Sequence, residues 1–121
     1  MKALRPHLYP ESWVFCTIDE KALHECSPKY LGMFREPEGV TLILERAEAD
    51  AREWFYESTW SCIILATHTD LTAVGILATV SQKLAAADIP LNAISGYYHD
   101  HLFVPQDRAE EALEILADVA A

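Results

Sequence analysis

The sequence is short of positive charge, of glycine and of cysteines that could pair. Nine Lys and Arg stand against 19 Asp and Glu in 121 residues, a formal charge of −10. The basic residues nowhere gather into a patch able to neutralise a phosphate backbone, so nucleic acid is a poor partner, and an anionic membrane surface is disfavoured for the same reason. Cys16, Cys26 and Cys62 are an odd set without CxxC spacing. They indicate neither a disulfide framework nor a structural zinc site, and a reducing, cytoplasmic setting fits them best. No run approaches the roughly 18 apolar residues of a membrane span, and no apolar stretch follows Met1-Lys2-Ala3-Leu4-Arg5 as a secretory signal requires. Four glycines and six prolines leave no room for a collagen-like repeat. What is plentiful is apolar surface: 51% of residues are hydrophobic, enough for one good core or two small ones.

The clearest patterning lies in the second half. Residues 60–67 form a short continuous apolar run with β-branched members, the signature of a buried strand. Over residues 71–87, Ala73, Leu77, Val80, Leu84 and Ala87 recur at steps of four and three, which predicts an amphipathic helix. Asp70 or Thr69 is its expected N-cap, and Asp88-Ile89-Pro90 its stop. Residues 91–97 and 101–104 read as a β-hairpin turning at Tyr98-His99-Asp100. Pro105 then opens a second helix over residues 106–119, with Ala109, Ala112, Leu113, Leu116 and Val119 on its apolar stripe.

The first half repeats this β-α-β-β-α order: strand 12–18, short helix 20–25, strands 30–34 and 40–45, helix 47–55. Pro37-Glu38-Gly39 supplies a tight turn, and residues 56–59 the boundary between units. Arg46-Ala47-Glu48 recurs as Arg108-Ala109-Glu110 at the start of each unit's last helix. Such a unit is one strand short of the split β-α-β fold, a four-stranded antiparallel sheet with both helices on one face. Because a bare edge strand invites aggregation, each unit is expected to take its missing strand from the other, or the two sheets to join side by side. The expected fold class is α+β: two ferredoxin-like βαββ-type units in tandem, residues 1–58 and 59–121, sharing strands and inseparable.

Thr67-His68-Thr69-Asp70-Leu71-Thr72-Ala73-Val74-Gly75-Ile76-Leu77-Ala78, together with Ser95-Gly96-Tyr97-Tyr98-His99-Asp100-His101-Leu102-Phe103-Val104-Pro105 and Arg108-Ala109-Glu110-Glu111-Ala112, resembles the ACT domain. The likeness extends to small bacterial tandem-ACT proteins and to the ACT units of aspartokinases and cytosolic arginine sensors. Gly75 stands five residues after Asp70, without the Pro-Gly that the commonest ACT pattern places directly after the Asp. The resemblance implies a non-catalytic regulatory module that binds a small effector, often an amino acid, where two ACT units pack, with homo-oligomers formed through those units. Carried over by position, the ligand-binding residues are His68, Thr69, Asp70, Leu71, Thr72, Ala73, Val74 and Gly75 from the loop after the first strand. Asn92, Ala93 and Ile94 follow from the second strand. No cofactor or metal is implied. A helix starting at Leu71 would offer unpaired N–H groups to an α-carboxylate, and Asp70 would suit the α-ammonium.

Plainer roles compete with each of these. Asp70 and Thr72 are ordinary helix-cap residues, and a Gly75 inside a helix, at a cost of about 1 kcal/mol, points to close helix–strand packing. His99, Asp100 and His101, with His68, suggest a metal or acid–base group, but neighbours in an extended chain face opposite ways and a hairpin tip is usually solvated. Tyr97-Tyr98 is expected to place one ring in the core and one outside. The serines lack a GxSxG context; Cys16 and Cys62 read as inert packing, and Cys26 as the exposed thiol. Glu45, Glu48, Asp50, Glu53 and Glu57 read as a solvated helix face. Trp54-Phe55-Tyr56 and Trp60 read as an internal seam. Two alternatives to the sensor stay open: an interaction module that docks on an enzyme without a small ligand, and a small metal-dependent enzyme built on His68, His99, Asp100 and His101.

Overall fold

Apolar side chains two residues apart on the strands, and three or four apart on the helices, set the architecture. A computed structural model describes residues 4–66 and 74–119. Its elements in chain order are β1 (Pro6–Leu8), β2 (Trp13–Ile18), α1 (Glu20–Cys26), β3 (Gly32–Glu36), β4 (Gly39–Glu45) and α2 (Arg46–Ala51), followed by β5 (Trp60–Leu65), α3 (Ile76–Ala86), β6 (Asn92–Ser95), β7 (Asp100–Pro105) and α4 (Ala109–Ala117). Two units result, residues 11–60 and residues 61–121 joined by the first ten.

In the first unit the strand order is β3-β4-β2, with β4 antiparallel to both neighbours and Trp60, the head of β5, paired with Trp13. Val14 and Cys16 of β2 and Val40, Leu42 and Leu44 of β4 point to one face, where Leu23 of α1 and Ala49 of α2 close the core. Phe15 meets Trp60 edge-on, with ring centroids 5.8 Å apart. The aromatic cluster divides: Trp54 and Tyr56 pack against this core, whereas Phe55 is exposed. The hairpin between β3 and β4 turns at Pro37-Glu38, and Gly39 takes a positive φ where a Cβ would lie 3.0 Å from the Thr17 hydroxyl.

In the second unit the order is β1-β5-β7-β6. This is the strand sequence of a complete split β-α-β sheet, with β1, from the far end of the chain, in the fourth place. β1 pairs antiparallel with β5, Pro6 opposite Leu65 and Leu8 opposite Ile63. The Ala66 N–H donates to the Arg5 carbonyl (3.0 Å) and the Tyr9 N–H to the Cys62 carbonyl (2.9 Å), extending the ladder at both ends. Ile63, Leu65, Leu102 and Val104 meet Val80 and Leu84 of α3 and Ala112 and Leu116 of α4 in one core, into which Leu4 also fits.

α2, α3 and α4 are shorter than their sequence patterns predict. α2 ends at Ala51, not at residue 55, because Glu53 turns left-handed (φ 57°): its N–H bonds the Asp50 carbonyl and the Trp54 N–H the Ala49 carbonyl, the two bonds of a Schellman cap. α3 ends in the same way. Asp88 is left-handed (φ 62°), Ile89 N–H bonds Leu84 O, and Ile89 buries beside Leu84, so the cap stops this helix before Pro90 does. At its start, Gly75 is the N-cap (φ 90°) and among the described residues no atom lies within 4 Å of where its Cβ would stand. Gly75 is therefore required by its backbone conformation, and the expectations of a glycine inside the helix and of close packing there are both corrected. The Arg-Ala-Glu triplets also differ in setting: Ala109 is buried, while Ala47 is exposed.

Leu4 is 1% exposed; Leu4→Ala should cost about 2–5 kcal/mol in urea unfolding, and a loss below about 0.5 kcal/mol would mean the leading segment is not part of this core. Glu53→Gly should raise stability by about 1 kcal/mol by relieving the left-handed strain, read as a higher urea midpoint.

Candidate functional site

The loop that follows β5 carries most of the sequence-predicted ligand residues. His68, Thr69, Asp70, Leu71, Thr72 and Ala73 lie outside the described residues. Val74 is 94% exposed, and Gly75 opens α3. α3 starts at Ile76 in place of Leu71, and its N-cap residue is Gly75 in place of the expected Asp70 or Thr69. Gly75 has no side chain to cap the helix, and the first turn carries no acidic residue. The Gly75 carbonyl accepts from both the N–H and the hydroxyl of Thr79 (3.0 and 2.9 Å). Among the described residues, the first turn of this helix brings no carboxylate to its leading N–H groups and positive dipole end.

Asn92, Ala93 and Ile94 are all exposed on β6, which pairs with β7 and forms the edge of its sheet. With antiparallel β7 between them, β6 runs in the direction of β5. Asn92 therefore lies at the end of the sheet opposite the loop that leaves Leu65. The segment of this unit that reaches the loop's root is the turn after Ser95, where His99 Nδ1 sits 3.0 Å from the Leu65 carbonyl.

That turn is a structural network. His99, Asp100 and His101 are not the solvated tip that their hairpin position suggested. Asp100 is buried and accepts from the Ser95 hydroxyl at 2.5 Å. His101 Nδ1 lies 3.1 Å from the His99 carbonyl, which also accepts the Gly96 N–H at 2.9 Å. A carbonyl only accepts, so both imidazoles carry their proton on Nδ1 here. Among the described residues no three His, Cys, Asp or Glu stand together as an ion would require. Tyr97 and Tyr98 are both exposed (74% and 61%) and meet each other edge-on, so neither ring enters the core.

A second concavity, in the first unit, carries no motif and was missed by sequence reading. A groove of about 700 Å³ is walled by Trp13 of β2, the connection from Pro28 to Leu31, Glu45 at the end of β4, and Ala47 and Glu48 of α2. Ser27, left-handed at φ 43°, ends α1 and turns the chain into this connection. Two bonds fix it: the Leu31 N–H to the Ile43 carbonyl (2.8 Å) and the Lys29 N–H to Glu48 Oε2 (2.9 Å). Arg52, stacked over Trp54 with its guanidinium carbon 5.5 Å from the ring centroid, donates to the same oxygen at 3.1 Å. Glu48 is thus a tie between wall and helix, unlike the solvated acid expected. The Lys29 N–H, and after it the Arg52 guanidinium, hold its carboxyl below the usual carboxylate range. Burial pushes the Cys16 thiol up, in keeping with inert packing.

Comparison with known proteins follows this geometry. One ACT domain model matches residues 56–118 and another residues 1–61. A Vibrio cholerae protein of unknown function, described as a possible transport protein, is 37% identical over 98% of this chain and 91% of its own, with a TM-score of 0.88. An Agrobacterium tumefaciens protein is 16% identical over 93% of this chain and 86% of its own, at a TM-score of 0.76. The regulatory subunit of aspartate kinase from Thermus flavus shares the fold at 11% identity, over 96% and 97% of the two chains, with a TM-score of 0.70. No curated protein sequence matches.

A carboxylate whose pKa is depressed in the folded state stabilises fully above its ordinary value, 4.5, and loses that contribution as pH falls through the folded value. Glu48→Gln should therefore lower the melting temperature at pH 7, and the gap to the wild type should narrow below that ordinary value. A gap unchanged down to pH 3 would contradict the tie.

Proposed function

Because this chain belongs to the ACT domain family, a family of regulatory ligand-binding modules, we propose that it is a non-catalytic sensor that binds an amino acid at the loop His68 to Gly75. The observation that supports this reading is the N-terminus of α3, which among the described residues has a glycine at its N-cap and no acidic side chain in its first turn. An α-carboxylate suits those N–H groups, and Asp70 in the preceding loop suits the α-ammonium. Thr69 and Thr72 add hydroxyls, while His68, Leu71, Ala73 and Val74 surround the ligand's side chain.

Asn92, Ala93 and Ile94 belong to the same site when they come from a second copy of the chain, since their own strand presents them at the far end of its sheet. A homo-oligomer built through the β6 edge therefore completes the pocket, and the exposed Ile94, Tyr97 and Tyr98 supply apolar surface for it. Ligand binding would act by favouring one arrangement of the copies over another. The two units function together, because Leu4 and Pro6–Leu8, which precede the first unit in the chain, belong to the core and sheet of the second. Neither His99 nor His101 needs a metal to explain its position, since each imidazole Nδ1 faces a backbone carbonyl. No described helix is long and apolar enough to cross a membrane; we place the sensor in the cytoplasm.

A thermal-shift screen of the common amino acids tests the reading. One of them, at about 100 times its dissociation constant, should add about 2.7 kcal/mol of stability, and Asp70→Asn should abolish the shift. A flat response to every amino acid, with the protein monomeric by sedimentation, would overturn it. Stable capture of an enzyme under those conditions would favour the ligand-free docking module.

A further inference from the structure

Beyond α2, residues 53–57 alternate between solvent and core. Trp54 and Tyr56 pack against the core of the first unit, whereas Glu53, Phe55 and Glu57 are exposed, Phe55 by 80%. The inward pair is fastened. The Trp54 N–H bonds the Ala49 carbonyl (3.0 Å), and the Arg52 guanidinium carbon stands 5.5 Å from the Trp54 ring centroid. The Tyr56 hydroxyl donates to Asp50 Oδ1 (2.6 Å) and accepts from Arg46 Nε (3.2 Å), so it both gives and receives a bond. Because both neighbours are held, the Phe55 backbone is fixed and its ring stays in water. An aromatic anchor fixed in advance gives up little freedom when it is buried by a partner.

The two arginines of this stretch are spent internally: Arg46 lies 3.6 Å from Asp50, and Arg52 donates to Glu48 at 3.1 Å. Glu53 and Glu57, two residues to either side of Phe55, have no basic partner among the described residues. The surface is therefore an apolar centre with a charged rim, the anatomy of an interface hot spot.

We propose that Phe55, flanked by Glu53 and Glu57, is a docking knob for another protein that presents an apolar pocket rimmed by lysines or arginines. Charge selects this occupant. A nucleic acid or an anionic lipid surface would meet two unpaired carboxylates. A second copy of the chain brings a charge of −10, and Arg35, Arg46, Arg52 and Arg108, four of its five arginines, are already engaged with its own acids. A basic partner meets neither obstacle and is drawn in by the long-range field. The knob lies within the first unit and stands whether or not the loop at residues 68–75 binds an amino acid.

Photo-crosslinking in the cells that make this protein tests the docking directly. With p-benzoylphenylalanine in place of Phe55 in the full chain, irradiation should give one discrete adduct. Mass spectrometry should place the crosslink in a partner peptide that carries lysine or arginine. The same amino acid in place of Phe34, which is 73% exposed, should not give that adduct. Glu57→Lys lies outside every helix and strand, so it should leave the urea midpoint unchanged while lowering the adduct yield about tenfold. With the partner purified, Phe55→Ala should weaken binding about thirtyfold at an unchanged urea midpoint. No adduct from position 55, the same adduct from position 34, or an adduct with nucleic acid or a second copy of this chain would overturn the proposal. So would a yield indifferent to Glu57→Lys.

Discussion

The pairing of a three-residue strand with the last half of β5 is the constraint on which the second unit depends. Without Pro6–Leu8, the residues after Trp60 make only three strands, and β5 presents a bare edge of buried Ile63 and Leu65. With it, the sheet reaches the full strand complement of a split β-α-β unit, and Leu4 seals the core against α3 and α4. β5 itself is divided: its head, Trp60, completes the ladder on Trp13, while the residues from Ser61 onward build the other unit. The two ACT matches, residues 1–61 and 56–118, thus follow the linear repeat, and the packed units do not.

The helix ends show a second constraint, imposed by backbone geometry more than by apolar pattern. The stripe of α3 runs on to Ala87, yet left-handed Asp88 turns the chain so that Ile89 folds back on Leu84. Arg108, just ahead of α4, then donates to the Ala87 carbonyl at 2.9 Å and to the Asp88 carbonyl at 3.4 Å, and pairs with Glu111. One guanidinium so joins the end of one helix to the start of the next, where the macrodipole of α3 favours a cation. α2 ends on the same backbone device with Glu53. A charged residue in the left-handed region is no sequence signal, which is why the periodicity overran both helices.

What was legible in the sequence is what alternation and 3.6-residue spacing encode: β2, β4, β5 and β7, the buried faces of α3 and α4, and the β-α-β-β-α order of each half. β1 was not, because three residues between Pro6 and Pro10 have no period to read; only the need for a fourth strand pointed to it. Tyr97 and Tyr98 escaped a rule of alternation because they lie in a turn beyond the last residue of β6. The loop site was reached through resemblance, and only its flanks, Val74, Gly75 and β6, fall among the described residues. The groove could not be seen in advance, since Trp13, the Pro28–Leu31 connection, Glu45 and Glu48 come from separate elements and meet only in the fold.

Net charge constrains what the proposed loop site would take. At −10 the chain surrounds itself with a negative potential that slows the approach of anions and concentrates cations. A ligand for the proposed site at the α3 N-terminus would therefore have to bring its carboxylate without a net negative charge. A zwitterion would do so, because the long-range field neither attracts nor repels it. A dicarboxylate would be repelled before it reached the same dipole.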